Sequence, residues 1–134
     1  MLTPSQAEIS DSISLNGMRV LVVEDSWPVA NAIKRLAENA GMVVVGPAAT
    51  VAEADQLLLT LTPDVAIVDI NLRGEMAYGL IDRLRMKDVP TIATSGYDAF
   101  SFGKDKVTAV LTKPFRASSL LAHLRHITAA RLAG

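Results

Sequence analysis

The 134-residue chain contains no cysteine, which excludes disulfides, thiol catalysis and thiolate-bound metals together. Nor does it carry an excess of either charge. Thirteen Lys and Arg stand against fourteen Asp and Glu, for a formal net charge of −1. That balance excludes the basic footprint of a nucleic-acid binder, and a half-apolar composition excludes a disordered chain. No apolar run reaches the length needed to span a bilayer, so no membrane association is expected. The opening stretch MLTPSQAEISDSISLNG lacks the basic region and apolar core of a signal peptide. No glycine-rich loop of the kind that cradles nucleotide phosphates is present, and no repeat or low-complexity tract. What remains is a globular protein expected in the cytoplasm, of a length that suits one domain with a core. Residues 1–17 read as a polar N-terminal extension, disordered or a short appendage, ahead of a domain over 18–134.

Within that domain, five short runs rich in branched apolar residues recur: Val20–Val23, Met42–Val45, Val65–Val68, Thr91–Thr94 and Val107–Leu111. They are continuous rather than alternating, the pattern of parallel strands covered on both faces. Segments of helical spacing separate them. After Ser26, a suitable N-cap with Pro28 in the first turn, Val29, Ile33, Leu36 and Ala40 form a stripe that Gly41 ends. Thr50 to Glu53, TVAE, fits a capping box, and Leu57, Leu58 and Leu61 follow as the apolar face. A third helix is predicted over Met76–Met86, burying Leu80, Ile81 and Leu84. A last one is predicted from Ala117 to about Leu132, burying Leu120, Leu121, Leu124 and Ile127. Between the fourth and fifth strands, Gly96 to Lys106 leaves room for only a shortened fourth helix, interrupted by Gly103. Strands alternating with helices predict a doubly wound α/β sheet.

One run poses a chemical question. DVAIVDINLRG, Asp64 to Gly74, carries an apolar strand to a single carboxylate, Asp69. An unpaired buried carboxylate is costly, so Asp69 is either tied down structurally or stands at the mouth of a site. Open parallel sheets bind ligands at the carboxyl ends of their strands, and the other ends are informative. The first strand ends in Glu24-Asp25, the fourth in Thr94-Ser95-Gly96, and the fifth in Thr112-Lys113-Pro114. Three acids, a hydroxyl and a lysine are thus delivered to one edge. Acids so close repel unless a cation holds them ionised, and oxygen ligands with room for water suit Mg²⁺. A carboxylate beside Mg²⁺, lysine and a hydroxyl is equipped to attack phosphorus. Alternation along the strand lets only one of Thr94 and Ser95 point into that site.

VLVVED, VAIVDINL, ATSGY and LTKPF, in this order and each closing a predicted strand, resemble the four site motifs of response-regulator receiver domains of two-component signalling. The resemblance runs from about Arg19 to the end of the last helix. It implies a flavodoxin-like five-stranded sheet of order 2-1-3-4-5. It implies that Asp69 is the phosphoacceptor, Asp25 a direct Mg²⁺ ligand, Glu24 a water-mediated one, and that Asn71 adds its backbone carbonyl to the metal shell. Ser95 becomes the switch hydroxyl, Lys113 the contact to a phosphoryl oxygen, and the Lys113–Pro114 bond cis. The donor would be a phosphohistidine on a sensor histidine kinase or histidine phosphotransfer protein, and the output a changed surface shown to another protein. The chain is then a phosphorelay signalling protein rather than an enzyme, a stand-alone receiver that ends with its last helix.

Three departures from the family pattern bear on switching. Val110 stands where a Tyr or Phe is usual, the proline after the phosphoacceptor loop is missing, and the fourth helix is short. A different mode of rearrangement is therefore expected, with Tyr97, Phe100 and Phe102 changing exposure. Two alternatives are weaker. An aspartate-nucleophile phosphatase wants a second acid two residues on, where Asn71 cannot move the proton. A phosphorylation-independent binding module on the same scaffold would not need the complete acid set. His123 and His126, three apart on the last helix, read as a solvated face.

Overall fold

The computed structural model describes residues 13–96 and 106–133. Alternation along the strands decides how the layers form. In β1 (Arg19–Val23), Leu21 and Val23 point to one face of the sheet while Val20 and Val22 point to the other. The same division continues in β3 (Val65–Asp69), with Ala66 and Val68 against Val65 and Ile67, and in β6 (Thr91–Ser95), with Ala93 against Ile92. All five residues of β3 and of β6 are buried, because helices cover both faces.

On the first face lie α2 (Val51–Leu58) and α3 (Tyr78–Met86), contributing Ala54, Leu58, Leu80, Ile81 and Leu84. On the second lie α1 (Trp27–Asn39) and the C-terminal helix α4 (Ala117–Ala133), contributing Ile33, Ala37, Leu120, Leu124 and Ile127. Leu15 joins the second cluster, and Gly17 N–H donates to Gly41 O at 2.8 Å. With β2 (Val43–Ala48) and β7 (Ala109–Thr112), the parallel sheet has the order β2-β1-β3-β6-β7, which is the expected 2-1-3-4-5 order of the five long strands. No helix among the described residues is long and apolar enough to cross a membrane. Leu80 is fully buried, and Leu80→Ala should cost about 2–5 kcal/mol in urea unfolding. A loss well below that would show that α3 settles into the gap.

Several boundaries moved for physical reasons. β2 runs past Val45 to Ala48, through a register shift opposite Leu21 and Val23. Gly46 makes this possible: its φ is +95°, and a Cβ there would lie 2.8 Å from Ala48 N. β7 begins at Ala109, since its ladder to β6 starts with Ile92 opposite Ala109. In α1 the buried line is Ala30, Ile33 and Ala37, with Val29, Leu36 and Ala40 half-buried beside it. Ser26 holds the N-cap position of α1 but makes no side-chain cap bond. In α2, Thr50 does cap, accepting from Glu53 N–H at 3.1 Å, while Glu53 reaches back to Ala49 N–H rather than to Thr50.

Met76 is not helical. It belongs to a two-stranded hairpin, β4 (Asn71–Leu72) and β5 (Glu75–Met76), which the sequence reading missed. Its two-residue turn has Arg73 at φ +54° and Gly74 at φ +93°, the positive angles that match a tight turn to strand twist. The shortened helix expected between Gly96 and Lys106 lies outside the described residues, as do Tyr97, Phe100 and Phe102. Val110, in β7, is half-buried against the first core cluster.

Candidate functional site

The carboxyl ends of β1 and β3 are neighbours in the sheet, and that adjacency brings the acids together. Val23 pairs with Val68, so Glu24 and Asp69 leave their strands side by side. Carboxylate oxygens of Glu24, Asp25 and Asp69 all lie within 4.8 Å of one another. The Glu24 side chain is 1% exposed and that of Asp69 7%.

Lys113 enters from the end of β7 and lies between these two. Its Nζ donates to Glu24 Oε1 at 2.5 Å and to Asp69 Oδ2 at 2.9 Å. The Lys113–Pro114 peptide is cis, and Lys113 N–H donates to Ser95 O at 2.7 Å, which fixes the lysine's backbone to the end of β6. The remaining oxygens have backbone donors. Ser26 N–H donates to Glu24 Oε2 at 3.0 Å and Asn71 N–H to Asp69 Oδ1 at 3.2 Å. Asp25, on the open side, accepts from Arg73 Nε at 3.2 Å.

Their surroundings push the Glu24 and Asp25 carboxyls in opposite directions. Burial pushes the Glu24 carboxyl above its ordinary range, and the charge of Asp69 adds to this against the hydrogen bonds from Lys113 and Ser26. Burial would raise Asp25 as well, but hydrogen bonding with Glu24 and backbone, together with the Arg73 charge, holds it below the usual range. For Lys113, burial works against the ammonium, yet the hydrogen bonds and charges of Glu24 and Asp69 raise its pKa overall. The cluster has more negative charge than its cations neutralise, and its donors are all hard oxygens. Such a set fits a small divalent cation.

The other expected residues fall around this centre. Asn71 follows Asp69 by two and is exposed in β4, where its Oδ1 accepts from Gly74 N–H at 2.6 Å. In the β3–β6 ladder Asp69 stands opposite Thr94, and Ser95 lies one step beyond, opposite Thr112 of β7. Both hydroxyl residues are buried. His123 and His126 are not part of the acid cluster. The residue that sequence reasoning passed over is Arg73. An arginine in a polar loop carries no signal by itself, and only the Asn71-to-Glu75 turn aims it at Asp25.

Comparison with known proteins agrees with the geometry. The family model for the response regulator receiver domain matches residues 20–125. The transcriptional regulatory protein PhoP of Escherichia coli K12 is 34% identical over 117 residues, covering 81% of this chain and 51% of PhoP. The chain thus spans about half the length of the curated relatives it matches. Among solved structures, a CheY-like receiver domain from Methylobacillus flagellatus superposes with a TM-score of 0.73 at 26% identity, covering 84% of this chain and 99% of that one. The response regulator PhyR from Brucella abortus superposes with a TM-score of 0.78 at 24% identity, over 93% of this chain and 54% of PhyR, a likeness of fold. With the motifs, the sheet order and the acid cluster in agreement, the chain belongs to the receiver-domain family of two-component response regulators.

Proposed function

We propose that this chain is the phosphoacceptor of a phosphorelay, taking a phosphoryl group from a phosphohistidine onto Asp69. The observation that carries the reading is the meeting of Glu24, Asp25 and Asp69 within 4.8 Å, with Lys113 bonded to two of them. In the transfer, an Asp69 carboxylate oxygen attacks phosphorus, the P–O bond forms, the P–N bond to imidazole breaks, and the leaving nitrogen takes up a proton. Asn71 N–H and Lys113 orient the Asp69 carboxylate from opposite sides. Lys113 remains as the cation that balances the phosphoryl oxygens. Ser95, buried at the carboxyl end of β6, would donate its hydroxyl to the same group.

Glu24, Asp25, Asp69 and the Asn71 carbonyl would hold Mg²⁺, which supplies charge neutralisation at the transferring phosphoryl group. The partners are a sensor histidine kinase or histidine phosphotransfer protein on the donor side and a protein target on the output side. The decisive experiment is incubation with acetyl phosphate and Mg²⁺ followed by intact-mass measurement. One base-labile phosphoryl adduct is expected, and none when the divalent cation is chelated. A metal-independent adduct, or no adduct at all, would overturn the reading.

The single tryptophan offers a second check. Trp27 is 74% exposed at the start of α1 and lines a cleft of about 290 Å³ with Glu24, Asp25 and Lys34. Its emission intensity should change on titration with Mg²⁺, while exposure keeps the wavelength shift small. A spectrum indifferent to Mg²⁺ up to millimolar concentration, about the range of weak sites, would count against metal binding beside Asp25.

A further inference from the structure

The two cations of the site are held in different ways. Lys113 is 24% exposed and bonded to Glu24 and Asp69. Arg73 is 79% exposed, touches Asp25, and comes from the tip of the β4–β5 hairpin. That hairpin is well anchored. Asn71 Oδ1 accepts from Gly74 N–H at 2.6 Å, Glu75 Oε1 from Val51 N–H at 3.1 Å, and Ile70 O from Ala77 N–H at 2.8 Å. Arg73 itself adopts φ +54°, a conformation that an arginine does not choose for its own sake. The backbone is held by these bonds, while the side chain that reaches Asp25 is 79% exposed to water.

We propose that Arg73 is a tethered counter-cation: it occupies the Asp25 carboxylate in the metal-free protein and is displaced when a divalent cation takes that carboxylate. This rests on the reading of Glu24, Asp25 and Asp69 as a metal site. A guanidinium nitrogen 3.2 Å from Asp25 Oδ2 would stand beside a divalent ion bound to that carboxylate, and like charges so close repel. One of the two protein cations must yield. Lys113 is wedged between two buried carboxylates and Arg73 is not, so Arg73 moves. The arginine thereby sets the metal concentration at which the site becomes competent.

Calorimetric titration of the full chain with Mg²⁺ at low ionic strength tests this. Removing an exposed ion-pair partner should tighten binding about threefold to fivefold in Arg73→Gln. Arg73→Gly should behave as Arg73→Gln, and Arg73→Lys, which keeps the charge, should stay near wild type. Raising the salt to about 1 M should narrow the difference, since exposed charges are then screened. In ¹⁵N NMR the Arg73 Nε–H resonance should move when Mg²⁺ is added to wild type. Equal or weaker binding by Arg73→Gln overturns the proposal. So does tighter binding by Arg73→Gly alone, which would assign the effect to turn strain. If neither wild type nor any variant binds Mg²⁺, the metal-site reading itself falls.

Discussion

Asp69→Asn will carry no phosphoryl group under conditions that modify the wild-type chain. The substitution keeps the shape of the side chain and leaves Glu24, Asp25 and Lys113 in place. What it removes is the proposed nucleophile, because an amide lacks the charge that lets a carboxylate attack phosphorus. The expected effect is all or none, read by intact mass after acetyl phosphate treatment. Asp25→Asn should give the opposite pattern: slower modification that more Mg²⁺ partly restores, with the adduct still on the peptide containing Asp69. An adduct of undiminished yield in Asp69→Asn would place the acceptor elsewhere.

Lys113→Ala should be the most destabilising single change at the site in the absence of metal. Two buried carboxylates lose the cation they share, and breaking a buried pair in this way costs about 3–5 kcal/mol. The lower end is the realistic figure. Glu24 can instead take up a proton, at about 1.4 kcal/mol for each unit between its ordinary pKa and pH 7, which caps the loss at about 3.5 kcal/mol. The sign with pH follows. A carboxyl whose pKa is raised on folding costs stability above its unfolded value, so the deficit should shrink toward pH 4 and grow toward neutrality. Mg²⁺ should recover much of the loss. In wild type it should add about 2.7 kcal/mol at a hundred times its dissociation constant. Urea unfolding with and without Mg²⁺ measures both. Midpoints that ignore the metal in both proteins would contradict this account.

Much of the fold was legible because the hydrophobic pattern is unambiguous. Val65 to Val68 could be read as a strand buried on both faces, and so it is. The Thr50 cap could be read from TVAE, since its geometry is local. Ser26 was legible as the N-cap position of α1, but its side chain makes no cap bond, and Pro28 in the first turn has no N–H to offer one. The start of β7 failed because strand ends follow the ladder partner rather than the apolar run. The hairpin at Arg73-Gly74 was hidden for another reason. Its strands are two residues each, too short for any periodicity to show.

By itself the sequence determined the composition of the site's edge. Parallel strands all end on the same side, so Glu24, Asp25, Asp69, Ser95 and Lys113 had to emerge there whatever their order. Only the tertiary structure decided which of them touch. β1 and β3 are adjacent, so Glu24 and Asp69 meet through backbone pairing alone. β7 is separated from β3 by β6, about two strand spacings of 4.8 Å each. Lys113 crosses that gap because it has the long stem for it and because its backbone is hydrogen-bonded to the end of β6. Arg73 reaches Asp25 across 48 residues of chain through a turn that only folding closes. Periodicity records which way a side chain faces, and the distance between two side chains on the same edge is set by packing.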